Sequence, residues 1–160
     1  MILLLAAIIF ASGCTGTGEN VDVVEVGDYV LVDYTGELED GTVFDTSVGR
    51  QPLEFTVGAG QMIAGFDSGV IGMAVGESKI LTLPQEDAYG EYQEGLIRAF
   101  PIEDLPESGA PYEEGDLILS SHGMVPIVNL TDTEAKVDFN HRLAGETLIF
   151  NVTLVSIGQE

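Results

Sequence analysis

Apolar and polar positions along this chain alternate with a period of two in several separated stretches, which is the pattern of half-buried strands. Tyr29-Val30-Leu31-Val32-Asp33-Tyr34-Thr35-Gly36 is rich in β-branched and aromatic residues and predicts a strand over 28–39, followed by a hairpin turn at Asp40-Gly41. A second short strand is predicted over Leu53 to Val57, closed by Gly58 and Gly60, and a third over Glu77 to Leu83. The last is predicted over Glu146 to Ile157, with Leu148, Phe150, Val152 and Leu154 on one face and Ile149, Asn151, Thr153 and Val155 on the other. Between the second and third strands, Phe66, Val70, Ile71 and Met73 recur at spacings near three and four, predicting a short amphipathic helix over 65–73. Gly69 and Gly72 weaken it in isolation, so it needs a sheet to pack on.

From Tyr92 to Ala135 the texture changes. Prolines 101, 106, 111 and 126 punctuate short apolar runs such as Leu117-Ile118-Leu119 and Val125-Pro126-Ile127-Val128, and acidic residues crowd the front. This reads as a β-rich insertion with turns, after which the final strand returns the chain to the first sheet. The expected fold class is therefore α+β: a twisted antiparallel β-sheet wrapped on one short helix, with a small β-rich domain inserted. The expected division is 21–91 and 137–158 for the discontinuous main domain and 92–136 for the insertion.

Charge narrows the partners. The 160 residues hold 27 acidic and 5 basic side chains, a net charge of −22, which repels nucleic acid and anionic lipid surfaces, so no nucleic-acid partner is expected. Such an imbalance serves solubility first, and attraction of cationic clients is the functional alternative. Ile2-Leu3-Leu4-Leu5-Ala6-Ala7-Ile8-Ile9-Phe10 has the length of a signal-peptide apolar region, and Ala11-Ser12-Gly13-Cys14 resembles a lipobox. Residues 1–13 are thus expected to be a lipoprotein-type signal, with Cys14, the single cysteine, as the lipidated residue and 14–20 as a tether. No Lys or Arg precedes the apolar run, so the signal is atypical or begins further upstream. The protein is expected on the outer side of the cell membrane, held there by lipid, as a monomer.

Conventional catalytic equipment is sparse. His122 and His141 lie outside any cluster with metal-ligand spacing, and neither a phosphate-cradling glycine loop nor a nucleophile elbow is present in the sequence. The glycines of 58–76 read as turns and as close helix-to-sheet packing. Two sequons occur, Asn129-Leu130-Thr131 and Asn151-Val152-Thr153, the second inside a predicted strand, which argues against its modification.

Four motifs, in order, carry more. Val43-Phe44-Asp45-Thr46-Ser47, Gly58-Ala59-Gly60-Gln61-Met62-Ile63-Ala64-Gly65-Phe66-Asp67, Leu83-Pro84-Gln85-Glu86-Asp87-Ala88-Tyr89-Gly90 and Phe139-Asn140-His141-Arg142-Leu143-Ala144-Gly145-Glu146-Thr147-Leu148 resemble the FKBP family of peptidyl-prolyl isomerases. More narrowly, the chain resembles the SlyD-type branch, with its second small domain in the flap. The resemblance implies an isomerase acting on proline-containing unfolded or partly folded polypeptides, without a cofactor. It implies that Tyr34, Phe44, Asp45, Phe66, Tyr89 and Phe150 form the catalytic pocket, and that Leu53, Met62, Ile63, His141 and Leu143 contact substrate. Phe66 falls where many members carry a tryptophan, and Leu53 replaces an aromatic. No match to the His- and Cys-rich tail of some members is found, so no metal site is carried over. The resemblance further implies a folding-chaperone role for the insertion, toward exported proteins. Alternatives stay open at this point. Aromatics on alternating strand positions also serve as core, Tyr34 and Asp45 also make a self-satisfying polar pair, and His141 also suits a turn. A non-catalytic peptide-binding or structural lipoprotein that keeps the fold is the alternative function.

Overall fold

The structure is a computed structural model that describes residues 22–158 apart from 108 and 122. The signal-like segment, Cys14, the tether and His122 lie outside the described residues. Two antiparallel sheets are present. The first contains β1 (Tyr29–Leu38), β2 (Val43–Thr46), β3 (Leu53–Thr56), β4 (Ser78–Leu83) and β9 (Leu148–Gly158), in the order β2-β1-β9-β4 with β3 also pairing β1. The second contains β5 (Ile97–Pro101), β6 (Leu117–Ser120), β7 (Gly123–Leu130) and β8 (Glu134–Asp138), in the order β5-β8-β7-β6.

β1 and β9 form the spine of the first sheet, paired from Tyr29 opposite Gly158 to Leu38 opposite Leu148. Their alternation works as the sequence predicts, since Val30 and Val32 from β1 and Leu148, Phe150, Val152 and Leu154 from β9 are all buried on one face. The turn at Asp40-Gly41 also forms, with the Gly41 N–H donating to the Leu38 carbonyl at 2.9 Å. On the buried face lies α1 (Ala64–Gly69), which contributes Phe66 to the core.

The helix is shorter than the spacing predicts. It ends at Gly69, not at residue 73, and the chain turns back through Gly72 at φ +81°. Val70 and Met73 are buried all the same, because the turn delivers both into the core that a longer helix would have reached. The physical cause is glycine on both sides of the turn: Gly69 is a poor helix former, and Gly72 adopts a conformation other residues resist. Gly65 and Gly69 also let the helix lie close to β4. A Cβ on Gly65 would sit 2.6 Å from Leu83 Cδ2, and one on Gly69 would sit 2.5 Å from Leu81 Cδ1. Lys79 Nζ donates to the Gly69 carbonyl at 2.9 Å, placing a cation at the carbonyl end of the helix.

The second sheet has its own buried cluster of Ile118, Val125, Ile127, Ala135 and Val137, flanked by Phe100, Leu105, Tyr112, Leu130 and Phe139. Its strands run from Ile97 to Asp138, so β8 extends two residues past the expected boundary at 136. Pro126 is tolerated within β7 because it lies just outside the stretch that pairs with β8, where a missing N–H breaks no ladder bond. Polar contacts join the outgoing and returning segments. Tyr92 Oη donates to Asp138 Oδ2 at 2.7 Å, Gln93 and Asn140 exchange two hydrogen bonds of 2.9 Å, and the Gly145 N–H donates to the Gly90 carbonyl at 2.8 Å.

Candidate active site

A cavity of about 440 Å3 opens at the end of the first sheet beside α1. β1 supplies Tyr34, β2 Phe44 and Asp45, and β3 Leu53; Met62 and Ile63 come from the loop that enters the helix, Phe66 from its first turn, and Phe150 from β9. Tyr89 arrives from the turn after the 3-10 segment Gln85–Asp87, where Pro84 has ended β4. Phe66 and Phe150 meet edge to face with centroids 5.1 Å apart, Phe44 and Phe150 do so at 5.5 Å, and Tyr34 and Phe66 at 6.1 Å. Crossed rings of this kind fix one another's orientation, giving the cavity stiff walls.

Its one carboxylate is held from several sides. Asp45 Oδ2 accepts from the Tyr34 hydroxyl at 2.5 Å, while Oδ1 accepts from Arg50 Nη2 at 2.5 Å and from the Thr46 N–H at 2.9 Å. Arg50 also donates to the Thr46 carbonyl, which ties the guanidinium to the strand end. The hydrogen bonds from Tyr34 and then Arg50 hold the Asp45 carboxyl below its ordinary range. The Tyr34 phenol moves the other way. Burial, followed by its bond to Asp45, pushes it up to about 12. At neutral pH the pair is therefore a phenol donating to a carboxylate.

Ten residues line the cavity, nine of them among those the motifs point to. The tenth is Gln61, whose Oε1 accepts the Thr56 N–H at 2.8 Å and so braces the loop that carries Met62 and Ile63. Arg50, unlike Gln61, stands outside the motifs altogether. The signal for it was its position five residues after Asp45, in a chain with only 5 basic side chains. His141 and Leu143, expected to contact substrate, do not line the cavity. Leu143 is buried in the main core, and His141 stacks on Tyr89 with ring centroids 3.8 Å apart and planes 10° from parallel. Desolvation and then the neighbouring Arg142 cation lower the His141 pKa, although the residue as a whole stays exposed. Its Nδ1 accepts the Leu143 N–H at 3.2 Å.

The cavity is thus aromatic, carries one braced carboxylate and sits on an antiparallel sheet wrapped over a short helix. The family model for FKBP-type peptidyl-prolyl cis-trans isomerase matches residues 21–155. Among similar proteins, the "short-type peptidyl-prolyl cis-trans isomerase" of Methanocaldococcus jannaschii is 40% identical over 146 residues, covering 82% of this chain and 92% of that protein. The "FKBP-type peptidyl-prolyl cis-trans isomerase SlyD" of Aeromonas hydrophila is 36% identical over 132 residues, covering 80% of this chain and 61% of that protein. The protein of the same description from Helicobacter pylori is 30% identical over 138 residues, covering 82% and 74%. The chain belongs to the FKBP-type peptidyl-prolyl cis-trans isomerases, in their SlyD-like form, and is an enzyme acting on proline-containing polypeptides.

Proposed function

We propose that the Tyr34–Phe150 cavity is the isomerisation site, and that the second sheet holds unfolded clients for it, outside the cytoplasm. The barrier to rotating an Xaa-Pro bond is the loss of amide resonance, about 18–20 kcal/mol, and no covalent chemistry is required. A planar amide is more charge-separated than a twisted one. A cavity walled by Phe44, Phe66 and Phe150 therefore disfavours the planar ground state relative to the twisted transition state. The Tyr89 hydroxyl donates to a substrate carbonyl, and Met62 and Ile63 meet the peptide backbone. Asp45, already bonded to Tyr34 and Arg50, fixes the ring of Tyr34 as one wall.

One observation carries the client-holding half of this reading. On β6 and β7 the facing pairs Leu117–Pro126 and Leu119–Met124 lie on the same side, while Ile118 and Val125 between them point into the second core. Leu117 is 58% exposed, Leu119 70% and Met124 57%, and β6 is an edge strand. An apolar face beside an open edge suits an extended, unfolded segment, which adds as a further strand and covers the side chains. A client held there presents its prolines to the cavity at an effective concentration in the millimolar range.

The test replaces residues 92–136 with a short loop. Isomerisation of a short Xaa-Pro peptide is expected to persist, whereas catalysed refolding of a whole protein and suppression of its aggregation fall sharply. Refolding equal to that of the parent would remove the client-holding role. Export and anchoring are proposed on the lipobox-like run ending in Cys14. A Cys14→Ser protein that stays bound to the membrane as firmly as the parent would refute the anchor.

A further inference from the structure

Tyr89 occupies an exposed position for a residue that is to aim a hydroxyl at a reacting amide. It is 41% exposed and follows a turn, not a strand. Its hydroxyl has no hydrogen-bond partner among the described residues, so nothing at the tip of the side chain orients it. Backbone bonds place the turn. The Gly90 N–H donates to the Gln85 carbonyl at 2.7 Å, and the Gly90 carbonyl accepts the Gly145 N–H at 2.8 Å. The ring itself lies in a parallel stack on His141.

His141 is in turn fixed by what surrounds it. Its Nδ1 accepts the Leu143 N–H, so the neutral ring carries its proton on Nε2, and Leu143 is anchored in the main core. One residue earlier, Asn140 is bound to both backbone groups of Gln93 and to Asp138. The imidazole is therefore a rigid plate attached to the returning segment, against which the Tyr89 ring lies flat.

We propose that His141 is a positioning residue for isomerisation: its ring, through the stack, holds the Tyr89 hydroxyl at the mouth of the cavity, without itself touching substrate. This rests on the reading of Tyr89 as the donor to substrate. Two neutral aromatic faces in contact remove the rotation of Tyr89 about its side-chain bonds, so the hydroxyl meets the substrate without an ordering cost at each turnover.

The test is a set of variants of the full chain, assayed on a short Xaa-Pro peptide. Tyr89→Phe is expected to lower kcat/KM by up to about tenfold, the range of one hydrogen bond. His141→Ala is expected to lower kcat by a similar factor with little change in KM, and the double variant to be no slower than Tyr89→Phe alone. His141→Phe retains a ring without the acceptor and is expected to restore most of the rate. His141→Asn retains an acceptor for the Leu143 N–H without a ring and is expected not to. Rescue by Asn and not by Phe would show that His141 serves only the turn, and would overturn the proposal. So would a full loss added on top of Tyr89→Phe, which would make His141 a substrate contact. A Tyr89→Phe protein as fast as the parent would overturn the donor reading as well, which separates that failure from the other two. Ring-proton shifts of Tyr89, displaced by the imidazole's ring current in the parent, are expected to relax in His141→Ala and His141→Asn whether or not activity survives.

Discussion

The Tyr34 hydroxyl and Asp45 Oδ2 are 2.5 Å apart, and the same carboxylate takes Arg50 on its other oxygen. Three residues from β1, β2 and the loop after β2 thus form one unit at the cavity wall. Removing Asp45 leaves a half-buried phenol without its acceptor and leaves Arg50 without its carboxylate, tied only to the Thr46 carbonyl. Asp45→Ala is expected to slow peptide isomerisation about tenfold or less, as expected for one lost charge-assisted bond, and to lower the melting temperature. Tyr34→Phe removes the same bond from the other side. Because the two share one interaction, the double variant is expected to fall short of the sum of the single effects. Strict additivity in kcat/KM and in melting temperature would show that the pair is not coupled.

The same pair sets two opposite limbs in the dependence of stability on pH. Asp45 has a lowered pKa when folded, so its contribution is present above the unfolded value of about 3.9 and is lost as pH falls through the folded one. Asp138 adds to this limb. Burial opposes its ionisation, but bonds from Tyr92 and Asn140 outweigh the burial. Tyr34 behaves inversely. Its folded pKa is about 12 against an unfolded value of about 10, so its contribution is full below pH 10 and is lost as pH rises toward 12. Spectrophotometric titration is expected to find Tyr34 late, with Tyr92 also displaced upward by its bond to Asp138, and only the Tyr34 inflection is expected to move earlier in Asp45→Ala. Asp45 and Arg50 are well exposed, so solvent screens the acid limb and it should be shallow.

How much of this was legible in the sequence can be followed residue by residue. Alternation predicts four of the five strands of the first sheet, because half-burial leaves a period of two that survives in the one-dimensional pattern, but the four residues of β2, Val43 to Thr46, do not alternate. The motif order brought together nine of the ten cavity residues. Whether Tyr34 and Asp45 pair with one another or face the cavity was left open, and they do both. The helix end was misjudged, since the spacing of Val70 and Met73 is satisfied equally by a turn at Gly72. Gln61 and Arg50 act through bonds to backbone and carboxylate that only the fold creates. His141 looked like a pocket residue and sits one layer behind, because the contact that matters is between Tyr89 and a segment some 50 residues later, joined through bonds no local pattern announces. The pairing order of the second sheet was equally silent in its short runs.

Gly36 shows how tightly the wall is built. A Cβ there would lie 2.6 Å from Phe44 Cζ and 2.9 Å from Phe150 Cε1. Gly36→Ala must therefore move one ring, and Phe44, only half-buried, yields more readily than Phe150. The cost in stability is expected near the low end for overpacking, about 1 kcal/mol. The displaced ring opens the cavity wall, so KM for a short peptide should rise while the fold persists. A variant that unfolds outright, or one with unchanged KM, would contradict this account of the wall.

The apolar face of the β6–β7 hairpin supplies the sharpest separation between the two proposed activities. Leu119 and Met124 are opposite one another and both more than half exposed, so replacing them disturbs little native packing. Leu119→Glu with Met124→Glu should leave the melting temperature nearly unchanged, because Ile118, Val125 and Ile127 still form the core beneath. Two carboxylates on that face would have to be desolvated under a bound apolar segment, which is costly, and they repel one another across the strands. Catalysed refolding of a whole protein should therefore fall toward the level of the protein with residues 92–136 replaced. Isomerisation of a short peptide, which needs the cavity alone, should stay within about twofold of the parent, since distant surface sites contribute independently. If refolding and peptide activity fall together, the hairpin face acts on the cavity itself and is not a separate holding surface. If neither falls, clients are held elsewhere on the molecule.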